Sequence, residues 1–317
     1  MQIPGILACA LLIALAVDRW LGEPALRWHP VIWMGRALQR AGEATAPLQP
    51  TGRDMTSFWR AALCWCVLAA LCVGLAAALQ AFIMAHAPWW IACVLLGLLL
   101  KPLLAWRMLC SEVMAVESAL EQSLQDGQER LARLVSRDVH GLDAAPVRES
   151  AIESLAENLN DSVVAPIFWF VIAGLPGAAL YRFANTADAM WGYPGMRSGR
   201  YWQWAGKWAA RADDVLSWIP ARLTAAALWL VAGCPNWSAL AANARLTPSP
   251  NSGWPMAAMA LALNVRLGKP GVYVLNARGG QAARASVEQA ARMASRALAC
   301  CIVVAVLWLV SMVVVKA

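Results

Sequence analysis

The densest run of side chains able to do chemistry is Arg148-Glu149-Ser150-Ala151-Ile152-Glu153-Ser154-Leu155-Ala156-Glu157-Asn158-Leu159-Asn160-Asp161. On a helix Glu149, Glu153 and Glu157 fall at i, i+4 and i+8, so three carboxylates stack on one face while Ile152, Leu155, Ala156 and Leu159 line the other. Like charges at that spacing cost roughly a few tenths of a kcal/mol per pair, and no Lys at i±4 within the run relieves them. A cation from outside would. The plain alternative is a solvated acidic face. What favours chemistry is the end of the run: Asn158, Asn160 and Asp161 lead directly into an apolar stretch, which puts hard oxygen ligands at a membrane boundary, as a Mg²⁺–phosphate site requires.

A second polar cluster, Asn185-Thr186-Ala187-Asp188, is followed by Trp191-Gly192-Tyr193-Pro194-Gly195. Asn185 and Asp188 share a helix face at i, i+3, and the Gly-Tyr-Pro-Gly turn reverses the chain. A lone Asn-x-x-Asp is more often a capping pattern; beside Arg197, Arg200, Lys207 and Arg211 it gains interest, because phosphate needs donors as magnesium needs acceptors. Arg211-Ala212-Asp213-Asp214 then sets charge at the lip of another apolar segment, where charge is costly and therefore a candidate for function. The third cluster, Thr247-Pro248-Ser249-Pro250-Asn251-Ser252-Gly253-Trp254-Pro255-Met256, has two prolines in four residues, which forbid a regular helix and leave a rigid loop with backbone donors. A similar turn near the amino end carries Asp18-Arg19, Gly22-Glu23-Pro24 and His29-Pro30-Val31; His29 by itself reads as packing or a surface donor.

The elements that must position these groups are membrane helices. Sixty per cent of the 317 residues are apolar and 14% are charged, whereas a globular protein carries about a quarter charged residues. Several of the 18 Trp flank apolar runs, the interfacial level that an amphipathic ring prefers. The formal charge of +7 lies in loops beside apolar runs and not in a stripe with stacking aromatics; this argues for positive-inside topology and anionic lipid, and against nucleic acid. Cysteines lie mostly in apolar stretches with no Cys-x-x-Cys and no His at zinc spacing, so structural zinc and disulfides are not expected. No P-loop, Gly-x-Gly-x-x-Gly after a strand, Gly-x-Ser-x-Gly or His-Glu-x-x-His is present, which removes P-loop nucleotide binding, Rossmann redox and nucleophilic hydrolysis.

The clearest spans are 61–85, 86–109 and 297–315, each near the ~20 residues that cross ~30 Å of hydrocarbon. Ile3 to Val17 reads as a short retained membrane segment. Arginines before and after the paired spans put 18–60 and 110–160 in the cytoplasm. Residues 111–139 alternate at helical period among Glu, Gln and Arg, describing amphipathic helices on a bundle or membrane surface. The stretch 163–183, broken by Gly174-Leu175-Pro176-Gly177, suits a re-entrant or buried hairpin better than a crossing. The run 219–234 could cross, but the positives that follow leave its topology open. The expected fold is therefore all-α: a polytopic helical bundle forming one membrane-embedded domain over 1–317, with a helical hairpin at 60–109, amphipathic cytoplasmic helices at 110–161, a hairpin and site loops at 162–256 and a final span at 297–315.

In this order the polar clusters resemble the adenosylcobinamide-phosphate synthase family of cobalamin biosynthesis, the CbiB/CobD type, over nearly the whole chain. The matching stretches are Asp18 with Gly22-Glu23-Pro24 and His29-Pro30-Val31, Arg137-Asp138, and Glu153 through Asp161. They continue with Val164-Ala165-Pro166, Asn185 through Met190 with Gly192-Tyr193, Ala210 through Asp214, Ile219 through Leu223, and Pro248 through Met256. One stretch departs: where the family continues Gly-Tyr into a charged segment, this chain has Pro194-Gly195-Met196-Arg197-Ser198-Gly199-Arg200-Tyr201.

The resemblance implies a ligase that joins (R)-1-amino-2-propanol O-phosphate, or ethanolamine phosphate, through an amide to adenosylcobyric acid, giving adenosylcobinamide phosphate with ATP as co-substrate and Mg²⁺. On that basis Glu153, Glu157, Asn158 and Asp161 would hold Mg²⁺. Asn185 and Asp188 would position metal or amine, Asp213 or Asp214 would take the ammonium proton, and Arg211, Asn251, Ser249, His29, Arg137 and Tyr193 would contact substrate or phosphate. The expected place is the inner cell membrane, with the site facing the cytoplasm and with later membrane enzymes of the pathway or a second copy as candidate partners. Two other readings remain: a membrane regulator from a related branch linked to β-lactamase induction, and a transporter, which would set its polar groups at mid-span of broken helices in paired halves.

Overall fold

The computed structural model describes residues 2–233 and 236–315; the apolar run expected over 219–234 ends on Cys234, outside them. Helices follow one another as α1 (Ile3–Leu21), α2 (Pro30–Thr45), α3 (Met55–His86), α4 (Trp89–Leu100), α5 (Trp106–Leu120), α6 (Leu124–Leu131), α7 (Ala144–Leu159), α8 (Ala165–Trp191), α9 (Lys207–Ala232), α10 (Trp237–Ala244), α11 (Gly253–Ala262) and α12 (Arg284–Val315). Two short antiparallel hairpins interrupt them, β1 (Met196–Arg197) with β2 (Arg200–Tyr201), and β3 (Leu267–Lys269) with β4 (Tyr273–Leu275). Among the described residues six helical segments are long and apolar enough to cross a membrane. Large apolar side chains stay exposed along them, Leu63, Val67, Leu71 and Leu75 at every fourth residue of α3 and Val303, Val304, Leu307 and Trp308 on α12. Such continuous apolar stripes are stable against lipid and not against water. The chain is a multi-pass membrane protein of the all-α class.

Contacts gather the chain into two compact units, the first comprising 1–104, 165–216 and 307–317, the second 105–164 and 217–306. In unit 1, α1 packs on α4, and α3 and α2 pack on α8. Small residues on α8 (Ala184, Ala187) let Trp65 of α3 reach Phe183, with ring centroids 5.5 Å apart and edge to face, a geometry that aromatic quadrupoles favour. Trp191 and Trp202 stack at 5.8 Å and anchor the β1–β2 segment, the stretch in which the sequence departs from the family pattern.

The broken stretch of α8 behaves as its glycines and proline suggest. Helical dihedrals fail at Ala173 and Gly174, and Gly174 has φ +66°, a value that L side chains avoid. The chain folds back so tightly there that a Cβ on Gly177 would collide with the Trp169 carbonyl oxygen. Gln80 of α3 accepts the Leu175 N–H at 2.8 Å, which satisfies a backbone donor freed by the break.

The second apolar arm, expected over 86–109, falls on the segment Trp89–Leu120 that is long and apolar enough to cross, and it is interrupted inside: α4 stops at Leu100, a single 3₁₀ turn follows at Lys101–Leu103, and α5 starts at Trp106. Pro102 cannot donate to the helix ladder, and Lys101, 3% exposed, turns inward. In unit 2, α7 packs against α5, α6, α11 and β3. It is not a surface helix: every residue from Glu149 to Ala156 is buried. Thus the amphipathic description holds for α5 and α6, whose Val113, Val116 and Leu131 are buried, and is corrected for α7, which is a core helix.

Candidate functional site

The acidic helix α7 is the centre of unit 2. Glu149 and Glu153 are each 3% exposed, which excludes the solvated-face alternative for these two. Their relief does come from outside the run, as guanidinium: Arg137 donates to Glu153 at 2.8 Å and to the Ser150 hydroxyl at 2.6 Å, and Arg266 stands 3.7 Å from Glu149. Glu117 of α5 receives both arms of the Arg148 fork at 2.7 Å, the bidentate geometry that makes such pairs strong. Glu157 and Asn158 are half-buried at the carboxyl end of α7, where Asn158 donates to the Ser154 carbonyl at 3.0 Å. A single π-helical turn, Asn160–Val164, follows, a form that often marks functional positions. Within it Asn160 donates to Asp161 at 2.8 Å and accepts from the Thr224 hydroxyl of α9 at 3.1 Å.

The proline-flanked loop of unit 2 turns out to hold an arginine. Asn251, 4% exposed, accepts from Arg222 Nη1 at 3.1 Å; the same nitrogen donates to the Trp218 carbonyl, and Nη2 donates to the Pro250 carbonyl. The rings of Trp218 and Trp254 flank it at 4.2 and 4.8 Å, close enough for cation–π attraction. Ser249 serves the loop itself, its hydroxyl oxygen accepting the N–H groups of Asn251 and Ser252, both at 3.2 Å. Gly253, Trp254, Pro255 and Met256 open α11, with Pro255 in the first turn where its missing donor does no harm.

Unit 1 holds the remaining candidates. Asn185 of α8 donates to Asp213 of α9 at 3.5 Å and accepts from Arg182 at 3.3 Å, so two clusters distant in sequence do meet. Asp188 lies one turn on from Asn185, with its carboxylate against Gly192. Asp214 is half-buried and Arg211 exposed on α9. Tyr193 is exposed and lies 3.4 Å beneath the Arg197 guanidinium. His29 belongs to a different arrangement: its Nε2 is 3.2 Å from Glu23, whose same oxygen meets Lys101 at 2.7 Å, and Lys101 also pairs with Asp18 at 3.3 Å. Burial works to raise the Glu23 carboxyl, but the hydrogen bonds and charges of His29 and Lys101 outweigh it and hold the group below the usual glutamate value.

The order of these clusters along the chain has a counterpart in known proteins. A family model described as CobD/Cbib protein matches residues 11–304. The chain belongs to the CobD/CbiB family. It is 38% identical to a probable cobalamin biosynthesis protein CobD of Methanothermobacter thermautotrophicus, over 84% of this chain and 85% of the relative. It is 42% identical to the cobalamin biosynthesis protein CobD of Chromobacterium violaceum over 81% and 80%, and 36% identical to that of Brucella suis over 86% and 88%. No solved structure matches. The names of these CobD/CbiB relatives support a role in cobalamin biosynthesis.

Sequence reasoning gave no role to four side chains that the structure makes prominent: Lys101, Arg222, Arg266 and Tyr273. Lys101-Pro102 inside an apolar run, and Arg222 just past Pro220, were signals available at the outset, since charge within such runs is kept for a reason. Arg266 and Tyr273 gave no local signal; β3 and β4 bring them to α7. Burial first, then the neighbouring Glu153 carboxylate, push the Tyr273 phenol well above its usual range, so it stays protonated.

Proposed function

We propose that this CobD/CbiB family member is the acid–amine ligase of late cobalamin synthesis, forming adenosylcobinamide phosphate from adenosylcobyric acid and an amino alcohol phosphate with ATP and Mg²⁺. The observation that carries it is the carboxyl end of α7, where Glu157, Asn158 and Asp161 gather oxygen-bearing side chains within five residues, on the last turn of the helix and the π-helical turn that follows it. Among the described residues no three His, Cys, Asp or Glu side chains close into a ready cation cage. Mg²⁺ needs none, because it keeps waters and takes one or two carboxylates, with substrate phosphates completing the shell. Glu157, Asn158 and Asp161 fit that demand. Glu153 has one oxygen committed to Arg137 and would give only the other. Bound there, Mg²⁺ would screen phosphate charge.

Carboxylate and amine do not condense unaided, so the reaction divides in two. The corrinoid carboxylate attacks the γ-phosphorus of ATP, the bond to ADP breaks, and an acyl phosphate forms. The ammonium then gives a proton to a carboxylate base, its freed lone pair attacks the acyl carbon, and inorganic phosphate leaves. Arg222, which Asn251 holds in place, joins the candidate phosphate donors. The arginine bias of the loops supports an inner-membrane protein with its site on the cytoplasmic face, where the bilayer keeps a large amphiphilic corrinoid close.

The test is an assay of detergent-purified, folded protein with all four reactants. Amide product that disappears when ATP is withheld is expected; no product from a folded sample removes the ligase reading. Glu157→Gln should raise the Mg²⁺ concentration for half-maximal rate about tenfold, in line with losing one ligand contact, and an unchanged Mg²⁺ profile would take Glu157 out of the site.

A further inference from the structure

A second feature of unit 2 has no part in the roles given above. A cleft of about 510 Å³ opens where the first half of α7 faces the β3–β4 hairpin, with Pro146 and Glu149 on one side and Arg266, Lys269, Val272 and Tyr273 on the other. That volume lies in the range of small-molecule sites, roughly 300–1,000 Å³.

The hairpin is built to present its side chains. Val272 N–H donates to the Lys269 carbonyl at 3.0 Å, Pro270 takes the second corner and Gly271, with φ +72°, the third. This is a type II turn, in which proline presets one dihedral and glycine alone accepts the other cheaply. The register pairs Lys269 with Tyr273, and residues directly opposite in an antiparallel ladder project from the same face. Lys269 and Tyr273 therefore share one face of the hairpin and both line the cleft, with the phenol hydroxyl 3.8 Å from the Met256 sulfur.

Charge in the cleft is divided. Glu149 is 3% exposed, and its Oε1 is shielded from solvent without a hydrogen-bond donor. Its nearest cation, Arg266, is 3.7 Å away, near enough to attract and too far to donate. A buried carboxylate oxygen lacking a donor is costly, and a ligand that brings an N–H removes the cost. Arg266 and Lys269 are both exposed at the rim and would be matched by an anion. A simple anion would answer the rim and leave Glu149 unmet; a simple amine would do the reverse.

We propose that this cleft binds a small phosphorylated amine, with the ammonium on Glu149 and the phosphate on Arg266 and Lys269. The identity of the amine rests on the ligase reading; the cleft, its polarity and these three residues go beyond it. Glu149 thereby acts as an ammonium acceptor.

Ethanolamine phosphate is the probe, titrated calorimetrically against the full-length protein in detergent without nucleotide, with inorganic phosphate and ethanolamine as separate arms. Glu149→Gln should weaken ethanolamine phosphate at least about tenfold, the scale of one lost charged hydrogen bond, and change inorganic phosphate less than about threefold. Lys269→Gln, an exposed change at a turn that does not threaten folding, should weaken both phosphate-bearing probes about fivefold to tenfold and leave ethanolamine alone unchanged. Wild-type binding of ethanolamine phosphate in both variants overturns the proposal, as does a wild-type protein that binds inorganic phosphate as tightly as the amine phosphate. The ligase assay separates the two readings. Product formed with an unchanged KM for the amine phosphate in both variants discards this cleft and keeps the ligase; Glu149-dependent binding without product keeps the cleft and discards the ligase.

Discussion

Unit 1 lets several acidic and basic groups share one buried lysine, whereas unit 2 gives each buried carboxylate an arginine of its own. Lys101 reaches Asp18 and Glu23, and Glu23 in turn meets His29. In unit 2 Arg148 pairs with Glu117 and Arg137 with Glu153, while Arg266 stands 3.7 Å from Glu149, within reach of its charge and beyond a hydrogen bond. The difference follows from the two cations. An ammonium is a compact point charge with three rotatable donors and can serve partners in several directions, while a guanidinium is a planar fork suited to one carboxylate at a time. A shared centre is economical and vulnerable, because one deletion strands two anions. Separate forks confine the damage.

That contrast can be broken most directly at its shared centre. Lys101→Met takes that cation from the buried Asp18 and the half-buried Glu23 and should cost about 3–5 kcal/mol, read as a large fall in detergent melting temperature or loss of a monodisperse peak. A melting temperature unchanged from wild type would show that the lysine is not what holds those carboxylates. Next in size comes the fork. Arg148→Leu should cost about 3 kcal/mol, and the Glu117→Leu/Arg148→Leu double substitution should recover most of it, since an apolar pair can replace an ion pair at little cost. A double variant as unstable as the sum of its parts would contradict the confined-pair picture.

Acid sharpens the contrast further. Because the folded-state value of Glu23 is depressed, its contribution is fully present above the ordinary glutamate value of 4.5 and is lost as pH falls through the lowered one. The melting difference between wild type and Glu23→Gln should therefore stay flat from about pH 8 to 6 and shrink only on the acid side of 4.5. A difference that already closes near neutrality would show that ionised Glu23 is not what the variant removes. The smallest effect belongs to an ordinary cap outside both networks. Asp54 accepts the Ser57 N–H at 2.9 Å at the start of α3, and Asp54→Ala should cost about 1 kcal/mol, a shift of a few degrees in the same melting experiment.

Much of the architecture was legible because lipid imposes a simple length rule. The spans of α3 and α12, and the break in α8 at the first residue of Gly174-Leu175-Pro176-Gly177, could be read from apolar runs and their punctuation. The acidic stripe of α7 was legible as a helix, and so was its need for an external cation. That the cation would be Arg137 for Glu153 and Arg266 for Glu149 was not, since those partners are joined by tertiary packing and not by period. Burial of α7 was hidden for the same reason: its polar face is covered by guanidinium groups and a hairpin that no local pattern announces. Pro270-Gly271 carries the composition of a turn, but that the hairpin it closes lies against α7 is a matter of tertiary packing. Asn185 and Asp213 were both singled out, and their meeting depends on how α8 and α9 pack within unit 1.

The fold-back in α8 has a bearing on how the chain is made. The amide of Gln80 that takes the Leu175 N–H lies toward the carboxyl end of α3, among apolar neighbours, and it is synthesised ninety-five residues earlier. The acceptor that satisfies the N–H freed beside Gly174 is thus made before the turn that needs it, so at this joint the order of translation matches the order in which the pieces are required.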